Sequence, residues 1–419
     1  MKYFHTLAIM TLLVTACHHK DDPDPEPQIA DRTVLVYMAA ENNLTPFLKN
    51  EFKEMRQGSK AISDKNNLIV YVDAADANTP PYLFRFNNGL ITDSVSMEES
   101  NTADPTVIYK VLSTAIEKYP AREYGLVLWG HASGWNVSKD SIEYTSALGA
   151  RGSQGRHKSY GVDNGRNDTW SASGKSINMV SLAKVLERTG QKLKFIFADC
   201  CQFMCIESAY ELRNTCDYII GSAAEIPGDG APYETVVPAM FSQNATFYKQ
   251  VAEAYLAQES YGYREPLAVV KTSELEALAA ETHNALQTFA TQAVSEENPY
   301  LDLNGLIYYQ GSNYGTHHYM YDMNDIMLRF ASNDVYTRWK DVFLRAVVYR
   351  TPTFGLGGQW MTEPVANNID FNSFTLDDTH YGGVSMFVPQ YPTANYINQN
   401  ADIRKMSWYY AAGLAEFGW

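Results

Sequence analysis

Two residues in this chain have the types and the settings for nucleophilic catalysis: His131 and Cys201. A cysteine attacks as its thiolate, so it needs a base to take its proton, backbone N–H donors for the oxyanion that follows, and a pocket for the side chain before the scissile bond. His131 lies in the turn Gly130-His131-Ala132-Ser133-Gly134, from which a ring can project past a strand end while neighbouring amides stay accessible. Cys201, after Asp199-Cys200, is expected to open a helix, whose positive dipole end lowers a thiol pKa. Alone, the histidine reads more simply as a structural or surface group and the cysteine as packing. Their common placement at strand ends shifts the balance toward a pair.

Those strand ends follow from the hydrophobic pattern. Tyr124 to Trp129 is a buried apolar run ending at Gly130-His131, and Leu193 to Ala198 is another ending at Asp199-Cys200-Cys201. An open α/β sheet places its ligands at the C-terminal ends of its strands, where helices begin and loops converge. Thr33 to Ala39 and Leu68 to Val72 add two buried strands. Tyr82 to Phe86 and Leu90 onward flank the hairpin signal Asn88-Gly89, and Tyr218 to Gly221 and Leu267 to Val270 continue the series. Helices alternate with the strands. One is capped by Thr45 with Pro46 first, and one starts at Asp104-Pro105 with Val107, Val111, Leu112 and Ile116 as its stripe. A third uses Met179, Leu182, Val185 and Leu186, a fourth runs from Cys205 to Leu212, and a long one starts at Ser273, with Glu276 completing a capping box, and ends near Val294. The alternation predicts an α/β fold, a three-layer αβα sandwich with a mostly parallel central sheet. Residues 132–176, rich in Ser, Gly, Asn and basic residues, read as a long loop or insertion. Beyond 295 the chain is rich in Tyr and Asn, has a strand-like run from Gly383 to Pro389, and is expected to form a C-terminal subdomain packed on the first.

The 419 residues are 45% hydrophobic and 19% charged, a globular composition, and the formal net charge of -15 argues against nucleic acid or an anionic membrane surface as a partner. Lys2 followed by the apolar run Leu7 to Val14 is too short to span a bilayer and reads as an export signal. Val14-Thr15-Ala16-Cys17 resembles a bacterial lipoprotein cleavage box, which would make Cys17 the lipidated residue. The following Lys20-Asp21-Asp22 and Pro23, Pro25 and Pro27 form a polar stalk that cannot pack, and the Lys-Asp-Asp run resembles the export signal of bacterial surface lipoproteins. The expected location is therefore the bacterial outer membrane, lipid-anchored, surface-exposed or periplasmic. Cys200, Cys205 and Cys216 read as small buried hydrophobes, since their spacing makes neither a disulfide framework nor a zinc site. His317 and His318 lack a third ligand at useful spacing, so no metal is assigned.

Around the two strand ends the sequence resembles the clostripain family of caspase-like cysteine peptidases, over most of the chain from Arg32 onward. Val127-Leu128-Trp129-Gly130-His131-Ala132-Ser133-Gly134-Trp135 is similar to the family's Trp-Asp-His-Gly-x-Gly-Trp block. Phe197-Ala198-Asp199-Cys200-Cys201-Gln202-Phe203-Met204-Cys205-Ile206-Glu207 is similar to its Asp-Ala-Cys-Leu-Met segment with a glutamate six residues after the nucleophile. Ser222 through Pro227-Gly228-Asp229-Gly230 to Tyr233 is similar to the Ser-x-x-x-x-Pro-Gly-x-Gly-x-x-Tyr wall of the substrate cleft.

The resemblance implies a caspase-like fold and a His131–Cys201 dyad, with Cys200 as a bystander in the alanine position. It implies the amides of Ala132 and Cys201 as oxyanion donors, and Asp199 and Asp229 as the acidic residues that select Arg or Lys before the cut. Read as residues alone, Asp199 is also a helix N-cap and Asp229 a turn former. Ala132 stands where the family has glycine, and an alanine required to hold φ > 0 would be strained. Self-cleavage in the 132–176 loop is implied too, where Arg151, Arg156, Lys158, Arg166 and Lys175 are suitable sites. No cofactor is required; Ca2+ is possible through Asp163 and Asp168, which lack EF-hand spacing. The expected partners are protein or peptide substrates and, through the lipid, the membrane. The expected division is a signal peptide at 1–16, a stalk at 17–31, a peptidase domain at 32–294 and the subdomain at 295–419. Two other readings stand beside the exported cysteine endopeptidase: a catalytically weak or inactive surface-binding lipoprotein on the same fold, and a peptidase cutting after Asn, as legumain-like enzymes do.

Overall fold

Strand β1 (Ala30–Ala40) is apolar at every position from Val34 onward, and its pleat deals these residues to two cores. Val34, Val36, Met38 and Ala40 enter one, and Leu35, Tyr37 and Ala39 the other. A strand apolar on both sides needs cover on both faces. The computed structural model describes residues 29–76, 78–135, 141–142, 159–165, 174–257, 265–290, 301–309, 320–351, 373–388 and 401–417. Among the described residues β1 lies within a nine-stranded sheet. The sheet also contains β2 (Asn66–Ala74), β3 (Tyr82–Asn87), β4 (Leu90–Ser96) and β5 (Ala121–Trp129). After a small separate sheet of β6 (Ser141–Ile142), β7 (Tyr160–Asp163) and β8 (Lys175–Ile177), it resumes with β9 (Leu193–Asp199), β10 (Cys216–Ser222) and β11 (Leu267–Lys271). A two-residue strand, β12 (Tyr321–Asp322), precedes the edge strand β13 (Val347–Arg350) and pairs with β14 (Ser385–Met386).

The order across the large sheet is β13-β11-β10-β9-β5-β1-β2-β3-β4. The run β10, β9, β5, β1, β2 is parallel, and the strands outside it are antiparallel. The helices are α1 (Leu48–Gly58), α2 (Pro105–Lys118), α3 (Met179–Arg188), α4 (Ile206–Glu211), α5 (Tyr233–Met240), α6 (Phe247–Leu256), α7 (Leu275–Phe289), α8 (Met323–Phe330), α9 (Asn333–Ala346) and α10 (Ser407–Ala411). Leu48 and Met55 of α1, Val236 and Val237 of α5 and Val251 of α6 share the core that Val34 enters. Val111 of α2, Leu182 of α3, Ala209 of α4 and Leu278 of α7 share the other. The result is the expected α/β three-layer sandwich with a mostly parallel centre.

Local signals did as their chemistry dictates in several places. Asp104 Oδ1 accepts from Thr106 N at 2.7 Å and starts α2. Asn88 and Gly89 take φ of 46° and 77°, the left-handed pair that a two-residue hairpin between β3 and β4 needs.

Four expectations are corrected. Thr45 caps no helix. It sits in a 3-10 turn before α1, where its Oγ1 donates to Ala40 O at 2.6 Å and accepts from Ala75 N at 3.0 Å, so it ties the ends of β1 and β2 together. Ser273 and Glu276 form no capping box, because Glu276 is drawn to Tyr210 and Arg213, accepting at 2.7 and 2.6 Å, and α7 is capped by no side chain. The stretch 132–176 is not all loop, since it contributes the small β6-β8-β7 sheet. Finally, Cys201 does not open a helix. Gln202 adopts φ of 54°, and the amides of Gln202 and Met204 are spent on Ala224 O and Ser222 O, both at or beyond the end of β10, so α4 begins only at Ile206.

Candidate active site

The parallel pairing of β5 with β9 sets the geometry. Trp129 is level with Asp199 in the register, so His131 and Cys201 each lie two residues beyond a matched pair on adjacent strands. Gly130 makes the exit possible: its φ is 147°, and a Cβ there would stand 3.2 Å from Ala39 O of the neighbouring β1. Beyond it the histidine turn is stapled to β7. Gly161 N donates to His131 O at 2.9 Å, and Ser133 N donates to Ser159 O at 3.2 Å. In that pattern the Ala132 amide does not point at the partner strand, and Ala132 is not among the positive-φ residues, so the alanine sits there without backbone strain.

His131 Nε2 lies 2.8 Å from Asn43 Oδ1. An amide oxygen only accepts, so Nε2 donates and the neutral ring keeps its lone pair on Nδ1. Asn43 comes from the turn after β1, and nothing in the sequence motifs pointed to it. The signal available was its place just past the C-terminal end of a central parallel strand.

Among the four described cysteines, Cys201 alone is half-buried; the others are buried. Burial pushes the Cys205 and Cys216 thiols up to about 12 and raises Cys200 well above its ordinary value, with the Cys201 and Asp199 charges adding to the effect at Cys200. Cys201 Sγ lies 3.5 Å from Ile226 N, a backbone donor aimed at the sulfur, and 3.9 Å from Ile226 O. Cys201 is thus the most accessible of the described thiols, and its backbone donor comes from a neighbouring loop and not from a helix end.

Asp199 lies beneath this end of the sheet. It is 2% exposed, caps no helix, and accepts on Oδ2 from Ala231 N at 3.0 Å and from Tyr233 Oη at 2.7 Å. Burial raises its pKa to about 6 against these two hydrogen bonds, which lower it. Asp229 is exposed and lines a cavity of about 140 Å³ together with Glu54, Pro227, Gly230, Tyr255 and Glu265. Asp229 thus lines an acidic concavity close in sequence to Ile226, the contact of Cys201, and Asp199 lies buried behind its Gly230 wall. Glu54, Glu265 and the fully buried Glu51 join them, and sequence reasoning missed all three.

Three carboxylates gather elsewhere. Glu41, Asp73 and Glu99 each bring one oxygen within 4.8 Å of the others, at the C-terminal ends of β1 and β2. Glu41 is pushed up to about 9, first by burial and then by Asp163, and its Oε1 is buried with no hydrogen-bond partner among the described residues. An all-oxygen set of this kind fits Ca2+ by donor chemistry. Asp163 itself accepts from Thr102 N at 2.6 Å and from Gly165 N at 2.9 Å. Cys17, Asp168, His317, His318, Arg151, Arg156, Lys158 and Arg166 lie outside the described residues; Lys175 is exposed at the start of β8.

The chain is similar to known proteases in both sequence and shape. The clostripain family model matches residues 36–408. The structure of a secreted C11 cysteine protease from Bacteroides thetaiotaomicron, bound to an irreversible peptide inhibitor, superposes with a TM-score of 0.69 at 26% identity, covering 91% of this chain and 99% of that one. An inactive zymogen C11 protease from Parabacteroides distasonis gives 0.67 at 24% identity over 92% and 99% of the two chains. A second secreted C11 protease from Bacteroides thetaiotaomicron, iotapain, gives 0.69 at 19% over 92% and 100%. No curated protein matches. With a family match that runs through both strand ends and the cleft wall, this chain belongs to the clostripain family and is a cysteine peptidase.

Proposed function

We propose that the protein is an exported endopeptidase that cuts after Arg or Lys through His131 and Cys201. The observation that carries this reading is the level pair of strand ends, which brings a half-buried thiol and a histidine to adjacent turns, with an acidic cavity lined by Asp229 just past Ile226, the backbone contact of Cys201. His131 Nδ1 takes the proton of Cys201 Sγ, and the thiolate adds to the scissile carbonyl carbon. The oxyanion is met by the amides of Ala132 and Cys201. As the tetrahedral intermediate collapses, the imidazolium gives its proton to the leaving amine and a thioester remains, which water hydrolyses by the same base. Asp199 and Asp229 hold the basic side chain, the arginine fork pairing well with two carboxylate faces.

Peptides carrying Arg, Lys, Asn or Asp before a reporter group test activity and preference together. Turnover of the Arg and Lys peptides, lost in Cys201→Ala, is expected. A preference for Asn would move the enzyme to the legumain-like reading, and no turnover would favour a binding module. Ala132 holds no positive φ, so the alanine brings no backbone strain to the histidine turn.

Two further elements of the proposal rest on sequence. Basic residues between 132 and 176 make that segment a substrate for the enzyme itself, so wild-type protein should convert to two chains during incubation while Cys201→Ala stays intact. Cys17 is read as the lipidated residue. Cys17→Ala should move the protein from the membrane fraction to the soluble one. Among the described residues no helix is long and apolar enough to cross a membrane.

A further inference from the structure

The acidic cavity has a carboxylate behind it that the cleft motifs do not supply. Glu51 sits on the inner face of α1 at 0% exposure, and neither of its oxygens has a hydrogen-bond partner among the described residues. Two more polar groups are in the same condition nearby: Asp199 Oδ1, on a residue 2% exposed, and the Tyr255 hydroxyl, on one 4% exposed. They act on one another, Asp199 being the foremost charge on Glu51 and both weighing on Tyr255. The remaining charged groups felt by Glu51 are Glu54 and Asp229, and Tyr233 stands against it from α5. All are acidic. Gly230 lies between this group and the cavity: a Cβ there would stand 3.0 Å from both Asp199 Oδ2 and Trp129 Nε1 and 3.2 Å from Glu51 Oε1, so at this point of the wall a glycine backbone lies against the two carboxyl groups.

Buried acceptors left unmet are unfavourable, and a fold keeps them together where a ligand meets them. We propose that Glu51 is a specificity-determining residue, forming with Asp199 a paired-carboxyl floor that takes the guanidinium or ammonium group of the substrate side chain and gives up a proton as it does so. The inference rests on the Arg/Lys reading of the same site. The balance is simple. The Glu51 carboxyl loses its proton to solvent, and the carboxylate left behind pairs with the incoming cation. Burial, with Asp199 beside it, pushes Glu51 to about 10, so the empty floor holds that proton at neutral pH.

The test compares matched peptides ending in Arg, Lys and citrulline, the neutral isostere of arginine, with wild type, Glu51→Gln and Glu51→Asp, from about pH 5.5 to about 8.5. Iodoacetamide alkylation of Cys201 serves as the check that the site is intact. Wild type should favour Arg and Lys over citrulline, with a KM for Arg that falls as pH rises. In Glu51→Gln the Arg-to-citrulline ratio should drop about tenfold or more, chiefly through KM, the pH slope should flatten, and alkylation should continue. Glu51→Asp should keep part of the ratio. An undiminished ratio in Glu51→Gln overturns the role of Glu51 and leaves the Arg/Lys reading standing, whereas wild type without basic preference overturns both. Should neither variant fold, calorimetry of Cys201→Ala protein with an Arg-ended peptide, in two buffers of different ionisation heat near pH 7, must show proton release, and none released overturns the proposal.

Discussion

A histidine acting as a base must offer one nitrogen and have the other held, and in the proposed role of His131 the holding would fall to Asn43, 2.8 Å from its Nε2. The contact joins residues 88 apart in sequence, which no local motif could announce. Asn43→Ala should lower kcat by about tenfold to a hundredfold, within the range general acid–base catalysis supplies, and should shift the acidic limb of the pH–rate profile while leaving KM nearly unchanged. Glu207 is the opposite case. Its position in the sequence served to count the register of the cysteine motif, but its physical role emerges only in the fold: at 0% exposure it accepts from Phe387 N at 2.7 Å, tying α4 to the chain after β14. Burial pushes it from 4.5 to about 8. A carboxyl whose folded pKa is raised adds stability that is complete below its unfolded value and is lost as pH rises through the folded one, at roughly 1.4 kcal/mol per pH unit at most. Glu207→Gln keeps an acceptor and cannot ionise, so its melting temperature should fall less than that of wild type between mildly acidic and mildly alkaline pH. Parallel pH dependences for the two would show that Glu207 stays charged in the fold.

At the scale of elements, the strands were legible because burial on both faces leaves an unbroken apolar run, as in β1, β5 and β9. The helix expected at Cys201 was not, because amides that could have begun it are claimed by Ala224 and Ser222, about twenty residues downstream. The histidine and cysteine turns also meet directly. Gly134 holds φ of 67°, and a Cβ on it would stand 2.7 Å from Gln202 O and 3.1 Å from Cys205 Sγ. Gly134→Ala should therefore cost about 1–2 kcal/mol for the left-handed conformation alone. It should also lower kcat, since relieving the clash pushes the histidine turn off the cysteine turn. A melting temperature and a rate both unchanged would mean the two turns yield without consequence.

At the scale of the whole molecule, the segment beyond 295 was the hardest to read, and the contacts explain why. β13 forms the edge of the main sheet against β11, Trp408 of α10 stacks edge-on with Tyr210 of α4 at 5.5 Å, and Ser385 N donates to Met204 O three residues past Cys201. These elements are short and find their partners far away in sequence, so no local period marks them. A chain ending at 294 loses an edge strand and bares apolar surface on α4 and α7. It should be recovered as aggregate, and a soluble, cooperatively melting 32–294 fragment would show that the two parts fold independently.

The seam between β5 and β9 has one last consequence. The strands are neighbours from Gly125 and Phe195 up to Trp129 and Asp199, yet the chain joining them runs through the very segment proposed for self-cleavage. Once cut, the middle of the sheet would be held by hydrogen bonds and packing alone. For an intact chain the way back from unfolding is a search within one molecule, whereas for the cut form it is a meeting of two, dependent on dilution and seldom completed. Maturation would then start a clock: the working life of the cut enzyme would be set by how fast its central seam parts, a rate with no return path.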